Sequence, residues 1–349
     1  MDSAVLKFKY HLLDAKGNPA GFLATKGEFD GEHVTLGKQK IPAQAIIKCI
    51  SVSDRLVLVL MGEKSPVTIA MKICGGNIRK LHQTFNMIAS VYQTQAHREM
   101  LEKAGRGHEF RVESCPHCRC MIDLTRHAPT PQVYCPFCDH FITRENPPAD
   151  EKTFQLCGKC GLYSQPKVFT IIFFYFLLVI YGYRYKRVHM CNACARSEAW
   201  TMLWANLIFV LFVPMAIVQL IRAYGGGAAR SEAFRGLDAA NALQTAARYD
   251  RAVRAYEAIE QRLEHAGVLY NHARALQRAA RVKEAVVIYE RATAACANFP
   301  PAARELVACY TQVGRADDAA RLKARWDDEP AEGGGAQERV ALSEGQAQG

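Results

Sequence analysis

Eight of the thirteen cysteines fall in four Cys-x-x-Cys pairs: Cys115/Cys118, Cys135/Cys138, Cys157/Cys160 and Cys191/Cys194. A Cys-x-x-Cys turn presents two thiolates at about 2.3 Å from one ion, and two such turns complete a closed tetrahedron around zinc. Between the first two pairs lie 16 residues, a spacing typical of a four-cysteine zinc site. The second two are separated by 30 residues, with His189 just ahead of Cys191. Two structural zinc ions are therefore expected, held by Cys115, Cys118, Cys135 and Cys138 and by Cys157, Cys160, Cys191 and Cys194. Four thiolates leave no coordination position for a substrate or a water, so the metal is expected to organise the chain rather than react. His117, Cys120 and His140 stand beside the knuckles and are read as spectators, and Cys49, Cys74, Cys296 and Cys309 have no partner by spacing. The same motifs admit two other readings, a thiol-redox enzyme working through its Cys-x-x-Cys pairs and a zinc ribbon that binds nucleic acid. Against the second, no hairpin carries a row of Arg and Lys interleaved with aromatics. No phosphate-cradling glycine loop, serine elbow or His-Glu-x-x-His helix occurs, and no catalytic or small-molecule cofactor site is expected.

Several kinds of element have to position these cysteines. The 349 residues allow several domains, and the balance of 44 basic to 34 acidic residues gives a charge of +10, compatible with anionic lipid or nucleic acid. The first residues mix Asp2, Lys7 and Lys9 with single apolar side chains and lack the core of a signal peptide, so the N-terminal domains are expected to face the cytosol. Over 6–73, short alternating runs separated by Gly, Asn, Pro and Asp predict six or so antiparallel strands, one near Phe22. Asn77 caps a helix whose Ile78, Leu81, Phe85, Ile88 and Tyr92 recur every three or four residues. Met121–Thr125 and Gln132–Tyr134 are strand-like and fit a zinc ribbon.

Two charge-poor runs follow. Val168–Tyr183 is uncharged for 16 residues, about 24 Å as a helix, and closes on Arg184, Lys186 and Arg187. Ala199–Ile221 is uncharged for 23 residues, about 34 Å, with Trp200 and Trp204 at one end and Arg222 and Tyr224 at the other; it predicts a transmembrane helix and an integral membrane protein. Beyond it, Arg248-Tyr-Asp-Arg-Ala252, Arg281-Val-Lys-Glu-Ala285 and Arg315-Ala-Asp-Asp-Ala319 recur at 33 and 34 residues. Aligned on those alanines, Tyr256 and Tyr289 share one position, Ala240, Ala273 and Val307 another, and Lys323 replaces the third aromatic.

Three resemblances arise from these patterns. The strands and closing helix, with Ile41-Pro-Ala-Gln-Ala-Ile-Ile47 leading into a hairpin, resemble a pleckstrin-homology-like barrel, which implies an anionic-lipid site among Lys7, Lys9, Lys16, Lys26, Lys38 and Lys40. Cys157-Gly-Lys-Cys160, an apolar stretch, then His189-Met-Cys191-Asn-Ala-Cys194 resembles the LITAF-type zinc domain, in which the apolar segment dips into one leaflet and both pairs meet on a single zinc. The chain departs from that family in lacking its proline-rich N-terminal region and in the long apolar run that follows at once, so a short span with the pairs on opposite faces stays open. The 33- and 34-residue recurrence resembles tetratricopeptide repeats, which implies a protein or peptide partner, or a structural or dimerising role.

The expected architecture is multidomain: an α+β barrel over 1–106, a zinc ribbon over 107–146, a second zinc module over 150–199 with its apolar insert at 168–183, a membrane helix over 199–222, a linker over 223–235, an all-α array over 236–327 and a disordered tail over 328–349. Together these predict a membrane-anchored, zinc-stabilised adaptor that recruits a protein through its helical repeats and meets the membrane through 168–183 and 199–222.

Overall fold

The structure, a computed structural model, describes residues 5–52, 54–63, 65–177, 180–206, 213–224 and 232–327. Most of the expected linker, 225–231, and the expected tail, 328–349, lie outside the described residues. The chain divides into two compact units after Arg126.

In the first unit seven strands form one curled antiparallel sheet: β1 (Leu6–Leu12), β2 (Thr25–Phe29), β3 (His33–Leu36), β4 (Gln39–Pro42), β5 (Ile46–Val52), β6 (Arg55–Leu60) and β7 (Val67–Gly75), in the order β4-β3-β2-β1-β7-β6-β5. Alternation sets the faces. Phe8 and Tyr10 are buried while Lys7 and Lys9 are exposed, as the period of two requires. The segment around Phe22, expected as a strand, is part of the β1–β2 connection, and Gln39–Pro42 supplies a strand that Gln39, set between Lys38 and Lys40, concealed. Helix α1 (Ile78–Lys103) packs Leu81, Phe85 and Ala89 into the sheet's core, and the Asn77 side chain accepts from the Lys80 N–H to cap it.

Strand β5 is a sheet edge, and an edge leaves peptide groups without a ladder partner. Asn86 of α1 supplies one. Its Nδ2 donates to the Cys49 carbonyl at 2.8 Å and its Oδ1 accepts from the Cys49 N–H at 2.8 Å. A short hairpin, β8 (Val112–Ser114) and β9 (Met121–Asp123), completes the unit. The six lysines singled out by sequence are all exposed, and Lys9 stands directly opposite Lys26 across the β1–β2 pair.

The second unit contains hairpins β10 (Gln132–Tyr134) with β11 (Phe141–Thr143), β12 (Gln155–Leu156) with β13 (Tyr163–Ser164), and β14 (Lys167–Leu177) with β15 (Ile180–Met190). The last corrects the helical reading of 168–183. Lys167 pairs with Met190 and Leu177 with Ile180 in an unbroken antiparallel register. The run is dense in Val, Ile, Phe, Tyr and Thr, the residues that suit a pleated surface, and two strands satisfy each other's backbone groups where a helix would satisfy its own.

Residues 207–212 of the expected transmembrane helix lie outside the described residues, and the described parts of 199–222 form two helices in place of one. Helices α2 (Asn192–Asn206) and α3 (Val213–Tyr224) span 15 and 12 residues, about 22 and 18 Å, against a hydrocarbon core of roughly 30 Å. No helix among the described residues is long and apolar enough to cross a membrane. The two helices pack antiparallel: Arg196 Nε donates to the Ala223 carbonyl at 3.2 Å, and Trp200 Nε1 to the Tyr224 hydroxyl at 3.2 Å. Pro214 falls in the first turn of α3, where a missing N–H costs nothing. Small buried residues, Ala199, Ala216 and Ala223, let the axes approach.

Six further helices form the array: α4 (Leu237–Thr245), α5 (Tyr249–Glu260), α6 (Ala266–Arg278), α7 (Val282–Ala295), α8 (Pro300–Gln312) and α9 (Ala316–Asp327). Each second helix begins directly after Arg248, Arg281 or Arg315, as the recurrence requires. The aligned Tyr256, Tyr289, Ala240 and Ala273 are fully buried, Val307 is partly buried and Lys323 is exposed. The turns between first and second helices place Ala247, Ala280 and Gly314 at φ 58°, 62° and 79°, again 33 and 34 residues apart.

Candidate metal centres

Three of the four Cys-x-x-Cys pairs share one local geometry. In each, the residue after the second cysteine takes a left-handed conformation (Arg119 φ 63°, Asp139 φ 59°, Gly161 φ 70°). That residue's N–H donates to the carbonyl of the first cysteine at 2.8–2.9 Å: Arg119 to Cys115, Asp139 to Cys135, Gly161 to Cys157. The first cysteine's own N–H then donates to the carbonyl five residues on, Cys120, His140 or Leu162, at 2.9 Å. These bonds fold the chain into a knuckle joining β8 to β9, β10 to β11 and β12 to β13, and the knuckle aims both sulfurs to one side. The fourth pair is built differently. Cys191 directly precedes α2 and Cys194 lies in its first turn, so helical spacing brings the sulfurs together, with the Ala195 N–H on the Cys191 carbonyl at 2.9 Å.

The sulfur atoms of Cys115, Cys118, Cys135 and Cys138 all lie within 4.8 Å of one another, and so do those of Cys157, Cys160, Cys191 and Cys194. In the second cluster Cys160 Sγ stands 3.8 Å from Cys191 Sγ, and the Cys191 N–H points at Cys157 Sγ at 3.3 Å. Phe169, Met190, Ala195 and Ala223 surround it. Four sulfurs converging in a mostly buried setting are a donor set suited to zinc, so each cluster can hold one ion. The two pairs of the second module meet despite the 30 residues between them, because β14 and β15 run out and back and return Met190 beside Lys167. His117, His140, His189 and Cys120 belong to neither cluster, and His140 Nδ1 is instead 2.8 Å from the Cys138 carbonyl.

Sequence reasoning missed how the knuckles are held. The Tyr163 peptide, three residues past Cys160, is clamped by the array. Asn271 Oδ1 accepts from the Tyr163 N–H at 2.8 Å, and Asn271 and Asn241 both donate to its carbonyl, at 2.8 and 3.0 Å. Tyr134, just before Cys135, is held the same way by Asn298, whose Oδ1 accepts from the Tyr134 N–H at 2.9 Å and whose Nδ2 donates to its carbonyl at 2.8 Å. Arg274 Nη1 donates to the Cys160 carbonyl at 2.9 Å. Tyr134, Phe141, Phe154 and Tyr163 thereby enter the same core as the helical repeats. The Tyr163 ring stacks on His265, centroids 4.7 Å apart, and lies over Gly267, where an added Cβ would sit 2.4 Å from its Cγ.

Below that ring is a buried ion network. The Gly267 N–H donates to His265 Nδ1 at 3.0 Å, which places the ring proton on Nε2, 3.1 Å from Glu151 Oε1. The Thr143 hydroxyl also donates to Glu151. Burial pushes the Glu151 carboxyl up, but its hydrogen bonds from His265 and Thr143 outweigh this and hold it below its ordinary value. Burial in turn lowers His265, with Glu151 opposing. Fully enclosed, this pair binds elements together and offers no access to a substrate.

No family model, no curated protein and no solved structure matches the chain.

Proposed function

We propose that the chain is a non-enzymatic adaptor at a membrane surface, in which two structural zinc ions organise a platform for a protein partner. The observation that carries this reading is the set of asparagine clamps: β13 is held by Asn241 of α4 and Asn271 of α6, and β10 by Asn298 in the turn before α8, so these strands lie against the side made by the first helices of the array. A tetratricopeptide-like array holds an extended peptide on that face. Here the chain's own residues around Tyr134 and Tyr163 take that place, so a partner docks on the second helices α5, α7 and α9 and on the exposed zinc modules. Convergence of four sulfurs at each cluster supports structural metal over a redox pair, which works through two. The LITAF-like arrangement of Cys157, Cys160, Cys191 and Cys194 and the pleckstrin-homology-like sheet with its exposed lysines both favour a place beside lipid.

Hydrogen exchange of the full chain with and without a zinc chelator tests the platform. Removing zinc should raise exchange in the knuckles and, through Asn271, Asn241 and Arg274, in α4 and α6. Unchanged exchange in α4 and α6 after complete zinc loss would show that the array is independent of the metal modules.

A further inference from the structure

The antiparallel packing of α2 on α3 buries Ala199, Met202, Ala216, Gln219 and Ala223 and turns a second, apolar face outward. That face carries Trp200 and Trp204 on α2 and Ile217, Val218, Ile221 and Tyr224 on α3, with Trp204 65% and Ile221 64% exposed. The Trp200–Tyr224 hydrogen bond joins the two helices across it. A soluble surface scatters large apolar side chains singly and does not gather six on one helix pair. Their types point to the occupant: tryptophan and tyrosine favour the boundary between headgroups and acyl chains, where the ring is apolar and its N–H or O–H is wet. Arg222, which donates through Nη2 to the Val168 carbonyl at 3.5 Å, stands exposed beside Ile221, where an anionic headgroup would sit. Over its described residues neither helix is long enough to cross.

Resting on the membrane-surface reading above, we infer that the outward face of α2 and α3 lies in the headgroup layer of an anionic bilayer, both helices parallel to the surface, with Trp200, Trp204, Ile217 and Ile221 in the acyl boundary and Arg222 on phosphate. The same helix pair is tied to the array, because Arg196 Nη2 meets Asp238 of α4 at 3.1 Å. The bilayer would thereby fix the orientation of the array.

The test uses the full chain carrying Trp326→Phe, which leaves Trp200 and Trp204 as its tryptophans. It is mixed with phosphatidylcholine vesicles, with or without phosphatidylserine, that carry quenchers at a shallow or a deep acyl position. The chain should float with the phosphatidylserine vesicles, its emission should shift to the blue, and the shallow quencher should act more strongly. Trp204→Ser with Ile221→Asp should lower partition at least about tenfold, since each buried side chain contributes roughly 1.5–3 kcal/mol, with helical content and zinc unchanged. A chain that does not float overturns membrane attachment altogether. Flotation with unshifted, unquenched tryptophans leaves attachment standing through another segment and overturns this face. Stronger deep quenching would mean a crossing helix. Dimerisation without lipid, abolished by Ile221→Asp, would make a second copy the occupant.

Discussion

Gly267→Ala separates the platform from a pair of independent folds by the sign of its effect. Gly267 is in the first turn of α6, and glycine to alanine in a helix ordinarily stabilises by up to about 1 kcal/mol. Here the new Cβ would meet Tyr163 Cγ at 2.4 Å, Cδ1 at 2.6 Å and Cδ2 at 2.8 Å. The ring has nowhere to go: it stacks on His265, packs on Phe141, Phe154 and Phe234, and its backbone is held by Asn271 and Asn241. Overpacking of this kind costs roughly 1–3 kcal/mol, so a net loss of about 1–2 kcal/mol is expected. Tyr163→Ala alone should cost about 3–5 kcal/mol by analogy with other buried aromatics. On that background the clash is gone and Gly267→Ala should become neutral or stabilising. Urea unfolding followed by circular dichroism, run on both single variants and the double, should give a coupling of about 1–3 kcal/mol. If Gly267→Ala stabilises the wild-type chain, β13 does not rest on the array and the clamps are not what holds the knuckles.

Cys115→Ser with Cys118→Ser should remove one zinc per chain by metal analysis and leave the second, since Cys157, Cys160, Cys191 and Cys194 form their own cluster. Both Glu151 and His265 have folded values below their ordinary 4.5 and 6.5, so the unfolded chain takes up protons first: stability should fall as pH drops below about 6.5 through histidine and below about 4.5 through carboxylate, and Glu151→Gln should flatten the part below about 4.5 in thermal melts from pH 7 down to about 3. Ala247→Gly and Ala280→Gly should each stabilise by a few tenths to about 1 kcal/mol by urea titration, because both residues hold a left-handed conformation that burdens a Cβ. Residues 232–327 expressed alone should be helical by circular dichroism yet melt well below the full chain, having lost Tyr134, Phe141, Phe154 and Tyr163 from their core.

What the sequence disclosed was whatever depends on neighbours in the chain. A Cys-x-x-Cys turn is a local device, so all eight cysteines were legible, and so was the cap at Asn77. The helical repeat was legible because Arg248, Arg281 and Arg315 mark the same turn three times. The apolar runs misled for a physical reason. Hydropathy counts how much of a segment avoids water but not what covers it, and among the described residues of Ala199–Ile221 only one side of each helix, with Ala199, Met202, Ala216 and Gln219, is covered by the pairing of α2 and α3. Val168–Tyr183 is equally apolar, yet its β-branched and aromatic residues favour a hairpin in which 168–177 pair with 180–189. The clamps were beyond reach, since Asn271 and Asn298 meet their tyrosines across 108 and 164 residues and an isolated asparagine, in a helix or in a turn, carries no mark of its partner. The burial of Glu151 was beyond reach for the same reason, since it meets His265 across 114 residues.

The central claim is that two clusters of four thiolates each hold a structural metal. Zinc-edge X-ray absorption on the full chain, paired with metal analysis, tests it most directly. Two zinc ions per chain, each with four sulfur neighbours at about 2.3 Å, are expected. A chain purified without metal, or zinc with nitrogen or oxygen in its shell, would contradict it.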